Sequence, residues 1–266
     1  MPEARIAGML APELIQVHDD SRLVPPFSER YPGLTPQAGY AAARKLHEHR
    51  LAQGWKPAGR KIGFTNRTLW ERYGVHEPMW GTVYDRTLIH AAQNRARVSL
   101  AGLAQPRIEP EICFKLKATP RASAAGELQA CIEWMAHAVE IVQCHHPGWK
   151  VSIADCTADN GLHGRLIVGS PVAANNLEQL PAVEARLFKG ERMVDRGVGA
   201  NVLGSPLAAL GFLVEVLKRQ PDAAPLEPGE IVTTGVLTDA HPVAPGEEWR
   251  TELAGMPFPG LKIAFQ

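Results

Sequence analysis

Apolar residues recur along this chain with two periods, and the change from one to the other divides it. Ala42, Ala43 and Leu46 stand among charged neighbours between Thr35-Pro36 and Gly54. A capping threonine with proline at the first helical position starts a helix, and a glycine stops it. That segment therefore predicts a surface helix. The rest of the first eighty-odd residues reads as helical or irregular, apart from a short strand-like run, Lys61 to Thr65, ending at Asn66. From about Trp80 alternation takes over. Between Arg107 and Leu116, Ile108, Ile112 and Phe114 fall on one side, with Glu109, Glu111, Cys113 and Lys115 on the other, the pattern of a half-buried strand. Pro110 has no amide donor and predicts an edge or a bulge there.

Two more helices are expected. Leu128, Ile132, Met135 and Val139 recur at helical spacing, predicting an amphipathic helix that runs into the apolar stretch Val139–Val142. Ser205 as cap, Pro206 in the first turn, and Leu207, Leu210, Val214 and Leu217 on one face mark the other. Lys218 and Arg219 close it, where cations suit the helix dipole. Glu230 to Gln266 reads as strands punctuated by glycine and proline. The expected layout is a helical N-terminal region over residues 1–84, then an α+β domain with a mostly β end over residues 85–266.

Composition narrows the partners. With 28 Lys+Arg against 28 Asp+Glu the formal charge is zero, which leaves no basic surface for nucleic acid. The most apolar stretch, Leu203 to Leu217, contains Ser205, Pro206 and Glu215 and is too short to span a bilayer. No membrane partner is expected. Cys113, Cys131, Cys144 and Cys156 form no CxxC pair, so they read as ordinary buried thiols. A cytoplasmic location is the default for such a chain. There is no G-x-S-x-G, no phosphate-binding P-loop and no H-E-x-x-H, and Gly197-x-Gly199 lacks a third glycine at dinucleotide spacing.

Candidate chemistry centres on carboxylates. On a strand, Glu109 and Glu111 leave the same face, about 7 Å apart along one ridge. They form either a solvated acidic face or, given Ile108 and Ile112 beside them, a site for a hard cation. Glu140, between Val139 and Ile141-Val142, is a third carboxylate in an apolar setting. A rival arrangement puts Glu133, His137 and Glu140 on one helix face, with His145 and His146 following. Lys61 reads as a snorkelling lysine or as a buried ammonium that helps an anion. Asp155 to Gly161 reads as a polar turn.

Six segments in order resemble the 2-oxopent-4-enoate hydratases and 4-oxalocrotonate decarboxylases of the fumarylacetoacetate hydrolase superfamily. Gly59 to Thr65 is similar to their G-x-K-I-G-L-T, Ile108 to Ile112 to I-E-x-E-I, and Glu140-Ile141-Val142 to E-I-V-D. Trp149-Lys150 through Asp155 to Asn160 resembles W-K…D-T-V-A-D-N. Gly199 to Pro206 resembles G-A-x-V-L-G-x-P, and Gly229 to Thr238 resembles G-D-I-V-x-x-G-x-L-T. The resemblance implies a mixed β-roll core with an α-helical N-terminal part, assembled as a homo-oligomer. It implies Glu109, Glu111 and Glu140 as ligands of Mg²⁺ or Mn²⁺, Lys61 as the catalytic residue, and Asp85, Asp159, Asn160, Gly235 and Thr238 as substrate-binding residues.

The implied activity is metal-dependent hydration of a 2-hydroxydienoate or 2-oxo-enoate to a 4-hydroxy-2-oxo acid. Decarboxylation of a vinylogous 2-oxo acid is the alternative, and a non-catalytic subunit partnering a related decarboxylase or hydratase is a third. The chain departs from the pattern where relatives often read A-D-N-A-S: here Ala158-Asp159-Asn160 is followed by Gly161-Leu162-His163. A lysine that the superfamily's hydrolases carry near that position is missing, which speaks against C–C bond hydrolysis.

Overall fold

The computed structural model describes residues 3–67, 70, 77–220 and 222–266. Its N-terminal part holds α1 (Glu3–Asp20), the short α2 (Phe27–Arg30) and α3 (Pro36–Ala52). α3 begins as the capping pattern predicts: the Thr35 hydroxyl accepts from the Ala38 amide at 3.1 Å, with Pro36 in the first turn. Leu10, Leu14, Val17, Phe27, Ala42 and Leu46 hold the helices together, and Ala158 joins them from the rest of the chain.

The major sheet runs β2 (Met79–Tyr84), β1 (Pro57–Gly63), β11 (Ile231–Thr233), β5 (Arg107–Leu116), β6 (Ile132–Val142), β7 (His163–Val168), β3 (Leu88–His90). β12 (His241–Pro242) adds to β5, and β8 (Val172–Ala173) adds to β6. The sheet thus reaches back before residue 85, because β1 and β2 lie inside the segment read as mainly helical. A second sheet runs β10 (Arg192–Val198), β9 (Glu184–Lys189), β13 (Glu248–Ala254), β14 (Lys262–Phe265), β4 (Arg95–Val98). The strand-rich tail is as expected.

Three local expectations need correction. The helix read over Leu128 to Val139 stops early: α4 spans Ala125–Cys131, and Ile132–Val142 is the central strand β6. β6 is buried continuously from Met135 to Val142. A strand covered on both faces loses its alternation, so chance helical spacing of its apolar residues misleads. The same correction removes the Glu133–His137–Glu140 helix face, since on a strand Glu140 points away from the other two. His137 instead ties the sheets together. Its ring bonds the Glu111 carbonyl at 2.8 Å and the Thr251 hydroxyl on β13 at 2.7 Å, and burial pushes its pKa down to about 4.

Pro110 marks neither an edge nor a bulge, because β5 is central and buried on both faces. On the side of β5 away from β6, β11 stops opposite Cys113 and β12 begins opposite Ile108. Pro110 falls in this gap, where its carbonyl accepts from the Leu237 amide at 2.8 Å and no donor is required of it. Asp155, read as part of a turn, lies in α5 (Ile153–Ala158). There it forms a capping box with Ser152 and also binds the Ser28 amide and hydroxyl at 2.8 and 2.6 Å.

The helix predicted from Ser205 forms as α6 (Pro206–Arg219), with the Ser205 hydroxyl accepting from the Leu207 amide at 3.2 Å. Leu210, Leu213, Val214 and Leu217 pack against Ile112, Phe114 and Val232 of the major sheet. Ile108, Val139 and Ile141 pack against Leu187, Trp249, Ile263 and Phe265 of the second sheet. The main core therefore lies on one face of β5 and β6, and Glu109, Glu111 and Glu140 stand on the other.

Candidate metal centre and active site

Register brings the carboxylates together. Glu109 on β5 pairs directly with Glu140 on β6, and Glu111 is the next residue on the same face of β5. One oxygen from each of the three lies within 4.8 Å of the others. Glu140 and Glu111 are 0% and 1% exposed, which no solvated acidic face would be, whereas Glu109 is partly exposed at the rim. Lys61 reaches in from β1, itself 2% exposed, and its ammonium stands 3.2 Å from Glu140 Oε2. The snorkelling reading of Lys61 fails on that burial.

The second partner of Glu140 is His163, whose Nδ1–H donates to Oε1 at 2.8 Å. Its Nε2 lies 2.8 Å from the Thr87 hydroxyl. On the other side, the Gly235 amide donates to Glu111 Oε2 at 2.8 Å. Gly235 is required there: its φ is +104°, and a Cβ would stand 1.8 Å from the Thr65 hydroxyl oxygen.

The electrostatics follow from this crowding. Burial pushes Glu109 up to about 7, with Lys61 opposing and Glu140 adding to the rise. Burial and the two neighbouring carboxylates push Glu111 well above the carboxylate range. At Glu140 burial acts the same way but is outweighed by Lys61 and His163, so its pKa falls. For Lys61, burial favours the neutral amine, but the three carboxylates outweigh it and hold the ammonium. His163 is lowered by burial against the pull of Glu140.

Three carboxylates and one ammonium sum to a formal charge of minus two, the complement of a divalent cation. Glu140 Oε2 is buried, and Lys61 touches it without a well-formed hydrogen bond. An all-oxygen donor set with a spare buried lone pair fits a hard cation.

The remaining expected site residues are engaged elsewhere. Asp85 is exposed in the turn after β2, accepting from the Lys56 and Arg86 amides at 3.0 and 2.9 Å. Asn160 brackets the Thr82 backbone with both ends of its amide, at 2.9 and 3.0 Å, and so ties β2 to the turn after α5. The Thr238 hydroxyl donates to the Asp239 carbonyl at 2.9 Å.

Asp159 belongs to a second buried cluster. His145 Nδ1–H donates to it at 2.8 Å, and His18 Nε2 stands 2.8 Å away. Arg50 donates to His18 Nδ1 at 3.0 Å, so the hydrogen of neutral His18 is on Nε2. Both rings thus turn N–H groups, not lone pairs, toward the carboxylate. Burial pushes His18 down to about 4; at Asp159 burial is outweighed by His145 and His18, so the carboxyl stays well below its usual range. This cluster is a polar strut under α1, not a metal site.

His163 and Thr87 are the partners that motif reading did not place. The only sequence signal was the departure at Gly161-Leu162-His163. Leu162 turns away to join Met79, Cys144 and Cys156 in an apolar cluster, while His163 turns to Glu140. Met79 and the Lys61 ammonium both lie against Gly63, so this cluster walls the lysine side of the site.

No family model matches the chain. Among curated proteins it is similar to the 2-hydroxyhexa-2,4-dienoate hydratase of Comamonas testosteroni, 30% identical over 240 residues that cover 89% of each chain. It is 28% identical over 261 residues to a 4-oxalocrotonate decarboxylase of a Pseudomonas species, covering 96% of this chain and 92% of that one. Among solved structures, 4-oxalocrotonate decarboxylase from Pseudomonas putida G7, complexed with magnesium and adipate, superposes with a TM-score of 0.91 at 23% identity over 100% of this chain and 99% of that one. A fumarylpyruvate hydrolase from Pseudomonas aeruginosa, in complex with Mn²⁺ and pyruvate, superposes with a TM-score of 0.60 at 11% identity, covering 77% and 88%.

Proposed function

The chain belongs to the 2-keto-4-pentenoate hydratase and 4-oxalocrotonate decarboxylase family, as an enzyme of that kind, and from this premise we propose that its carboxylate site hydrates a small 2-hydroxydienoate or 2-oxo-enoate to a 4-hydroxy-2-oxo acid. The observation that carries this reading is the buried Glu109–Glu111–Glu140 trio with Lys61 3.2 Å from Glu140. Mg²⁺ or Mn²⁺ held there supplies Lewis acidity toward the carboxylate and 2-oxo oxygens of the substrate.

The chain's own residues do the rest. Lys61 holds a proton at Nζ beside the trio, positioned to deliver it to the dienolate carbon skeleton and to stabilise negative charge on the enolate oxygen. The Gly235 amide fixes Glu111, and His163 fixes Glu140. Met79, beside the Lys61 ammonium at Gly63, shields the lysine side from bulk water. Water then adds at the β-carbon of the enone.

Decarboxylation of a vinylogous 2-oxo acid passes through the same enolate, with CO₂ as the departing electrophile. The relatives carry both names, so a paired assay of hydrated product and CO₂ release decides between the two. A purely structural subunit has no need of a buried trio that a cation neutralises. The reading also includes a cytoplasmic location, checked by cell fractionation, and a homo-oligomer, checked by light scattering on the purified chain.

The direct test is titration calorimetry of Mg²⁺ and Mn²⁺ into the chelator-stripped protein, with and without oxalate as an enolate mimic. Cation binding that oxalate tightens is expected. Glu111→Gln is expected to lose cation binding and turnover together, and a variant that keeps both overturns the assignment.

A further inference from the structure

His163 reaches Glu140 through a local irregularity in the sheet. β6 and β7 pair Glu140 with Leu166 and Ile141 with Arg165, but Val142 with His163, so Gly164 is an extra residue on β7. Without that insertion the pairing would continue through Gly164, and His163 would point to the opposite face. The bulge turns the ring onto the face of Glu140 and Val142. Gly164 suits this place because a Cβ would stand 2.5 Å from the Ile141 carbonyl oxygen.

The ring is then held at both ends. Nδ1–H donates to Glu140 Oε1, and Nε2 meets Thr87 Oγ1, both at 2.8 Å. Thr87 is itself anchored: its hydroxyl accepts from the Tyr84 amide at 3.0 Å and gives its one proton to Nε2, because the ring hydrogen is on Nδ1. His163 is 2% exposed, so both contacts are made away from bulk water. This leaves the two oxygens of Glu140 unequal: Oε1 is occupied by a fixed N–H, and Oε2 lies 3.2 Å from the Lys61 ammonium without a well-formed hydrogen bond, so it is the oxygen with a lone pair to offer.

We propose that His163, aimed by the Gly164 bulge and braced by Thr87, is a positioning residue that restricts Glu140 to one-oxygen coordination and thereby selects a small six-coordinate cation over Ca²⁺. This rests on the cation-binding reading of the trio. Mg²⁺ demands near-octahedral geometry with single-oxygen ligands, whereas Ca²⁺ takes six to eight oxygens and accepts bidentate carboxylates. Removing the N–H frees Oε1 to chelate and enlarges the coordination the site can offer. Groups that orient metal ligands commonly change affinity by about 10- to 100-fold when lost.

The test is calorimetric titration of Mg²⁺, Mn²⁺ and Ca²⁺ into chelator-stripped wild type, His163→Ala, His163→Asn and Thr87→Val. Circular dichroism confirms that each variant is folded. His163→Ala is expected to lower the affinity for Mg²⁺ and Mn²⁺ relative to Ca²⁺ by about tenfold or more. His163→Asn, whose amide can stand where Nδ1–H stood, is expected to recover most of that preference. Thr87→Val removes only the brace and is expected to shift the ratio in the same direction by less; it carries the test if His163→Ala does not fold. A folded His163→Ala, or failing that Thr87→Val, with the wild-type ratio overturns the selectivity role and leaves the metal reading intact. Wild type that binds none of the three cations overturns both.

Discussion

At the scale of single residues, the site is a set of charges that burial would forbid separately. Glu111 and Glu140 are out of water, and each isolated carboxylate there would be costly to ionise. Lys61 offsets part of that cost and leaves a residual formal charge that a divalent cation would balance. Roles can be separated at this scale. Lys61→Met removes the ammonium but none of the three carboxylates proposed as ligands, so cation binding is expected to persist or tighten. Turnover is expected to fall by at least about 100-fold, since the proton delivery proposed for Lys61 would be lost. Calorimetry and a hydration assay on one preparation check both halves. The residue identities were legible beforehand: two glutamates with period two, a third in an apolar run, and a lysine among apolar neighbours. His163 was visible only as a departure, because nothing local says which face a residue at a bulge will take.

At the scale of elements, what matters is which strand lies beside which. The Glu109–Glu140 pairing exists because β5 and β6 are adjacent and antiparallel in one register. A slip of one residue would send Glu140 to the core face. Pro110 illustrates how context reverses a local rule. Its missing amide hydrogen lies in the gap between β11 and β12, so Pro110→Ala gains no ladder hydrogen bond, and loss of the buried ring carbons is expected to destabilise by about 1–2 kcal/mol. Urea unfolding is the check, and a loss of several kcal/mol would mean that the ring itself holds β5 in place. The misread helix over Leu128 to Val139 belongs here as well. Its apolar spacing was compatible with either element, and only burial on both faces made Ile132–Val142 a strand.

At the scale of the whole molecule, the fold keeps several groups in protonation states they would not hold in water, and stability is expected to follow pH accordingly. His18 and His137 have folded values of about 4 against an ordinary 6.5. The native state thus holds them neutral, and their contribution is fully present above pH 6.5 and lost as pH falls through 4. Glu109 goes the other way in the metal-free protein. Its value rises from 4.5 to about 7, so its contribution is present below pH 4.5 and lost as pH rises through 7. Added Mg²⁺ or Mn²⁺ is therefore expected to raise Tm more at pH 8 than at pH 5.5, where protons compete for the same oxygens. Thermal melts at the two pH values, with and without cation, check this. Equal shifts at both would show that the carboxylates are not the site of binding.

The sequence by itself determined the chemistry available and the local punctuation: Thr35-Pro36 and Ser205-Pro206 start helices as their caps require, and the alternation in Arg107–Leu116 assigns its carboxylates to one face. These depend on contacts within a few residues. The family resemblance was legible for the same reason, in short motifs. Tertiary structure alone decided that β6 is a strand, that Pro110 lies in mid-sheet, that Asp159 braces His18 and His145 while Asp85 faces solvent, and that His163 holds Glu140. Each of these depends on a partner distant in the chain or on coverage by another layer, and local spacing carries no information about what will cover it.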